Sequence, residues 1–122
     1  MKVAITASGE GFNSPVDRVF GRARYFVITD PDETNVEVLE NSQNVNAAQG
    51  AGIQAARQMA NKSVDILLTG NVGPNAFRAL DAVSIKVCQF ESDILTVRDA
   101  LTAWKEGRLQ EVKAPTAQGH GL

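Results

Sequence analysis

Residues Ser8–Arg22 place two aromatic rings (Phe12, Phe20), two guanidinium groups (Arg18, Arg22) and the polar pair Asn13–Ser14 in one connection between apolar runs. Hairpin loops are usually about 2–5 residues long, and structureless connections beyond roughly 12 are as a rule functional or disordered. This is not a linker composition. Guanidinium, amide and hydroxyl donors beside water-excluding rings are suited to holding an anion. A second set of donors lies in Gly70-Asn71-Val72-Gly73-Pro74-Asn75, where a strand end meets two glycines and a proline. Proline fits the first helical position because the N–H it lacks would be unpaired there. The remaining N–H groups of such a helix start attract anions, and Asn71 and Asn75 can add side-chain donors. An ordinary strand-to-helix turn with no ligand explains the same residues equally well.

Other chemistries find less support. The chain has one cysteine, Cys88, and one histidine, His120, so no Cys cluster or His pair forms within it. Cys88 sits in an apolar strand and reads as a buried, inert thiol, while His120 lies in a polar C-terminal stretch. They are the weak candidates for a direct metal bond. No Ser-His-Asp or Cys-His arrangement is credible, and no enzyme is expected. Gly50-Ala51-Gly52-Ile53-Gln54-Ala55 matches G-x-G-x-x-A but follows a polar Asn-rich connection rather than a strand, and no acid follows about 20 residues on. Close helix packing accounts for its glycines better than a dinucleotide does.

These residues need elements to position them. Lys2–Ala7 reads as a central strand, Arg24–Asp30 as a second, and Asn35–Leu39 as a half-exposed antiparallel third. Residues 47–61 read as a helix of mostly small residues able to lie close to a sheet. Val64–Thr69 has the apolar run of a strand covered on both faces. A helix from Pro74, a strand over Ser84–Phe90 and a helix capped by Thr96 and stopped at Gly107 complete the domain. Residues 1–109 form the expected single domain, with 110–122 as a flexible tail.

The β-β-β-α-β-α-β-α order and the right-handed crossover rule predict an α/β fold. It is a ribonuclease-H-like five-stranded mixed sheet, order 3-2-1-4-5, with helices on both faces. Its ligand crevice falls at the C-terminal ends of strands 1 and 4, where both the Ser8–Arg22 loop and the Gly70–Asn75 turn emerge. Metal-dependent nuclease chemistry needs converging carboxylates. Strand 1 and the first helix contain none, and Asp65 lies at the far start of strand 4.

The formal net charge of −2 gives no reason to expect nucleic acid as a partner. No apolar run or leader suggests a membrane or export, and the lone cysteine suits a cytoplasmic protein. Between Asn41 and Val64 there is no Asp or Glu, whereas Arg57 and Lys62 are present. A carboxylate-free face suits an anionic ligand, although a short chain produces such stretches by chance.

The sequence resembles the dinitrogenase iron–molybdenum cofactor-binding family. These small domains are related to nitrogenase cofactor carriers and to the orange protein that holds a molybdenum–copper sulfide cluster. The resemblance rests on MKVAITASGEG, VFGRARYFVITD, GAGIQAARQMA, VDILLTGNVGPNAFRAL, SIKV and TVRDALTAWKEGRL, spanning Met1 to Leu109. It implies a non-catalytic protein that stores or carries an anionic molybdenum-containing metal–sulfur cluster, iron–molybdenum or molybdenum–copper sulfide in type. Many members carry a histidine before the Phe-Gly-Arg-Ala run, where this chain has Val19. The implied hold is therefore by donors rather than by protein thiolates or imidazole. Its residues are Phe12, Asn13, Ser14, Arg18, Phe20, Gly21, Arg22, Gly70, Asn71, Gly73 and Asn75. Arg18 and Arg22 would supply charge, and Phe12 and Phe20 would shield the cluster from water. Expected partners are the cluster and cofactor-assembly proteins or a partner ATPase, for a chain that is a monomer. The alternatives are a protein-interaction or regulatory module of the same fold that binds no cluster, and a small enzyme or nucleotide binder acting on a phosphorylated ligand through the same helix start.

Overall fold

The computed structural model describes residues 1–41 and 50–116. The strands are β1 (Val3–Ala7), β2 (Tyr25–Thr29), β3 (Val36–Glu40), β4 (Ile66–Thr69), β5 (Lys86–Gln89) and β6 (Gln110–Val112). The helices are α1 (Ala51–Asn61), α2 (Pro74–Ala82) and α3 (Val97–Lys105), with a 3-10 turn at Phe20–Arg22. The sheet order is β3-β2-β1-β4-β5-β6. β1, β4 and β5 run parallel, and the remaining neighbours are antiparallel.

The expected order is present at the centre of the sheet, but the sheet has six strands rather than five. β6 occupies Gln110–Val112, a segment that the sequence assigns to a tail. Gly107, at φ +74, reverses the chain after α3. Val112 then pairs with Val87 while Gln110 and Glu111 stay exposed. A polar edge strand with one inward-facing residue carries almost no apolar alternation. The first helix starts at Ala51, with Gly50 before it outside the helix; residues 47–49 of the sequence-assigned span and 42–46 of the Asn-rich connection lie outside the described residues.

β1 is buried at every position, so it runs between two apolar layers. On one face Ala4, Phe26, Leu67 and Val87 meet Ala55, Ala56 and Met59 of α1 and Ala76 and Leu80 of α2. On the other, Val3, Ile5, Val27, Leu68 and Cys88 meet Val97, Ala100 and Leu101 of α3. Each fully buried leucine or valine contributes about 1.5–3 kcal/mol, so the sheet centre is the rigid platform for everything above it. Because β1, β4 and β5 are parallel, α1 and α2 run back against them. Both helices therefore begin at the same end of the sheet, above the C-termini of β1 and β4.

The opposite end is tied by the turn between β2 and β3. Asp30 accepts hydrogen bonds from the Thr34 hydroxyl, the Thr34 N–H at 2.8 Å and the Asn35 amide at 3.1 Å. Led by the Thr34 hydroxyl bond, these lower its pKa from 3.8 to about 2. A depressed carboxyl stabilises the fold above its unfolded pKa and loses that contribution as pH falls through the folded value. Between about pH 4 and pH 2 the wild-type protein is expected to lose stability more steeply than Asp30→Asn. Urea midpoints measured across that window check this.

Candidate functional site

The Ser8–Arg22 loop crosses the top of the sheet and is stitched down along its length. Ser8 N–H donates to Pro15 O at 3.0 Å, Asp17 N–H to Thr6 O at 3.0 Å and Val16 N–H to Leu95 O at 3.0 Å. The Thr6 hydroxyl donates to Asp17 O at 2.7 Å and lies 3.1 Å from the Thr69 hydroxyl, both threonines being fully buried. Thr6 and Thr69 thus lock the ends of β1 and β4 beneath the loop. Farther along, Asn71 N–H donates to Arg18 O at 2.6 Å and Phe20 N–H to Asn71 O at 3.0 Å. The two sequence-predicted segments are therefore joined by backbone pairing.

Glycines allow this closeness. A Cβ on Gly70 would lie 2.5 Å from Arg18 O. One on Gly21 would lie 2.7 Å from the Gly52 nitrogen, and one on Gly52 would lie 2.8 Å from the Ala76 Cβ. The 3-10 turn, the start of α1 and the start of α2 are thereby brought into contact. Gly50 precedes α1 with φ +75, a conformation that favours glycine.

The three helix starts differ in electrostatics. α1 and α2 have no side-chain cap and no acid in the first turn. The N–H groups of Gly73 and Asn75 have no partner among the described residues. α3 is closed by a capping box in which the Thr96 hydroxyl accepts from Asp99 N–H at 3.1 Å and Asp99 accepts from Thr96 N–H at 3.1 Å. These Thr96 bonds also hold the Asp99 carboxyl below its usual range. Among the described residues, α1 and α2 are the helices whose positive ends carry no cap or first-turn acid. Thr96→Ala is expected to cost about 1 kcal/mol, read from a denaturation midpoint.

The predicted residues separate into groups. Gly21, Arg22, Gly70, Asn71, Gly73 and Asn75 come together at the starts of α1 and α2. Arg22 is exposed at the end of the 3-10 turn. Asn75 Oδ1 accepts from Arg78, which brings a further cation to the first turn of α2. Phe12, Asn13 and Ser14 lie instead beside the start of α3. Arg98 N–H donates to Phe12 O at 2.8 Å, its guanidinium stands 5.0 Å over the Phe12 ring, and Val97 N–H donates to Ser14 O at 3.0 Å. The Ser14 hydroxyl accepts from Gly11 N–H at 3.0 Å.

Two residues have structural partners that the sequence does not announce. Phe20 is fully buried, with its ring centroid 5.6 Å from that of Phe26. It belongs to the core and not to a ligand shield. Arg18 donates from Nη1 to Glu91 O at 2.8 Å and from Nη2 to Ile94 O at 2.7 Å, and lies 5.6 Å from the Phe90 ring centroid. Its terminal nitrogens tie the loop to the segment before α3.

Cys88 is buried on the α3 face, across the sheet from α1 and α2. Burial, with the Glu111 carboxylate as the next cause, pushes its thiol pKa up. It is therefore poor thiolate material. Among the described residues no group of three His, Cys, Asp or Glu side chains could hold a metal ion. His120 lies outside them. A cavity of about 470 Å³ lined by Met1, Lys2, Thr29, Asp30 and Val36 is at the far end of the sheet and forms no part of this site.

Sequence pattern misses two supports of the cradle. Asn41 is fully buried beneath the 3-10 turn. Thr116, beyond β6, accepts from Val72 N–H at 2.9 Å and donates its own N–H to Val72 O at 3.0 Å. Both act through contacts distant in the chain, which no local spacing marks. Among the described residues no helix is long and apolar enough to cross a membrane.

Comparison with known proteins agrees with this architecture. The orange protein of Desulfovibrio gigas, solved in its apo form, is 40% identical and superposes with a TM-score of 0.88, covering 95% of this chain and 96% of its own. A Thermotoga protein solved by NMR and provisionally assigned as NifB is 41% identical with a TM-score of 0.83, covering 97% and 98%. An uncharacterized protein of Methanocaldococcus jannaschii is 25% identical over 114 residues, 91% of each chain. The model of the family described as "Dinitrogenase iron-molybdenum cofactor" matches residues 1–107. The chain belongs to the dinitrogenase iron–molybdenum cofactor family.

Proposed function

We propose that this protein is a non-catalytic carrier or store for an anionic molybdenum-containing metal–sulfur cluster, iron–molybdenum or molybdenum–copper sulfide in type. The observation that carries this reading is the meeting of two uncapped, acid-free helix starts beside the exposed Arg22, while the third helix start is closed by its own acid. A cluster whose metals are saturated by sulfide needs charge and N–H donors rather than thiolates. The donors are the Gly73 and Asn75 N–H groups, the Asn71 and Asn75 amides and the Arg22 guanidinium, with Arg78 adding charge. The kinship with the orange protein supports a cluster as cargo.

The fold is read as ribonuclease-H-like, with anion-binding helix starts where a nuclease would gather carboxylates. The cluster-binding domain is residues 1–109 together with β6 and Thr116, acting as a monomer in the cytoplasm, and cofactor-assembly proteins or an ATPase are the proposed partners. A second reading is an interaction module that binds no cluster. The 48% exposure of Val19 beside Asn71 favours it, because an apolar side chain there offers a partner a contact and a metal none.

Arg22→Ala tests the site on which the carrier reading rests. It is expected to lower cluster retention about tenfold, the size of one charge-assisted hydrogen bond. Folding stability should change by no more than about 1 kcal/mol, the size of an exposed polar contact. Retention after gel filtration and a thermal melt measure the two effects. Equal retention by the variant and the wild type would remove Arg22 from the site.

A further inference from the structure

We propose that Asn41 is the positioning residue for Arg22; the proposal rests on the cluster-holding reading and identifies what fixes the backbone from which that guanidinium projects. Asn41 follows β3 and is fully buried. Its side-chain nitrogen donates to Gly21 O at 3.3 Å and to Ala23 O at 2.8 Å, the two carbonyls that flank Arg22. Its backbone N–H donates to Arg24 O at 2.8 Å. One residue therefore grips the chain immediately before, immediately after and two positions beyond Arg22.

The 3-10 turn needs such a grip. Its closing bond, Ala23 N–H to Phe20 O, is long at 3.3 Å, and short 3-10 turns have poor hydrogen-bond geometry. On the other side the turn rests on the backbone of α1, where Gly21 leaves no room for a Cβ. Held between Asn41 and Gly52, the Arg22 backbone is fixed while its side chain is exposed. The chemistry demands an amide. An asparagine nitrogen offers two donors to two carbonyls, whereas an ionised carboxylate of the same shape offers none and faces both with negative charge.

The test compares Asn41→Ser, Asn41→Asp, Arg22→Ala and the Asn41→Ser/Arg22→Ala double variant. Each is loaded anaerobically with tetrathiomolybdate and copper(I) at a temperature where it is folded. Backbone ¹⁵N relaxation is recorded on the metal-free proteins. If Asn41 acts through Arg22, Asn41→Ser lowers retention about tenfold, as Arg22→Ala does, and the double variant is no worse than Arg22→Ala. Losses that multiply in the double variant would overturn the proposal and leave Asn41 a purely structural residue. If the wild type takes up no cluster, the cargo reading fails and relaxation alone decides the positioning role. Order parameters at Gly21–Ala23 falling from about 0.85 to below about 0.6 in Asn41→Ser would sustain it; unchanged values would overturn it.

Discussion

Gly70→Ala is expected to separate the binding loop from the turn beneath it and to lower stability by about 2–3 kcal/mol. The added methyl would sit 2.5 Å from Arg18 O and 3.1 Å from Arg18 Cα, both backbone atoms. No rotamer change can relieve such a clash. To make room, Arg18 must move away, and the paired bonds Asn71 N–H to Arg18 O and Phe20 N–H to Asn71 O open with it. A loss of this size lowers the melting temperature by on the order of 10 °C for a domain this small, and cluster retention should fall with it. Gly73→Ala provides the internal contrast. A Cβ there meets nothing within 4 Å, and its φ of −77 suits any residue. Its expected cost is about 0.5–1 kcal/mol, the difference between glycine and alanine at a helix N-cap. If the two variants melt together, the close approach at Gly70 is not what holds the loop.

Arg18→Ala is expected to destabilise the protein by about 2–4 kcal/mol. Two hydrogen bonds from a charged donor contribute roughly 1.5–3 kcal/mol each when both partners are shielded. Glu91 is exposed, so water recovers part of that loss at its carbonyl. Contact with the Phe90 ring adds a smaller amount. Arg18→Lys should rescue less than half of the loss, because an ammonium is a single point of charge and cannot reproduce a fork reaching the Glu91 and Ile94 carbonyls together. Urea denaturation of the three proteins gives the comparison. An Arg18→Ala protein with wild-type stability but poor cluster retention would instead restore Arg18 to the role suggested by its sequence, a charge facing the ligand.

Arg18 and Phe20 show where sequence reasoning reaches its limit. Central strands β1, β2 and β4 are legible because two-sided burial demands apolar runs, and the α3 start is legible because Thr96 and Asp99 interact within one turn. The junction of the loop with the Gly70–Asn75 turn is also legible, since parallel β1 and β4 force both segments to one end of the sheet. An irregular loop has no period to say which side chains point inward. Phe20 and Arg18 therefore read as ligand-facing, although the structure turns Phe20 into the core and anchors Arg18 to carbonyls far along the chain. Asn41 and Thr116 leave no local trace because their partners lie in distant segments. β6 is hidden by its polarity.

Anaerobic titration of the metal-free protein with tetrathiomolybdate and copper(I), followed by gel filtration, metal analysis and a visible spectrum, tests the carrier function most directly. A coloured species should co-elute with the protein at fixed stoichiometry and be stripped by molar salt, since partly exposed charge and N–H donors hold it. Cys88→Ala should load equally well. Colourless, metal-free protein would contradict the carrier function, and a cluster that survives molar salt but is lost in Cys88→Ala would contradict a hold without thiolates.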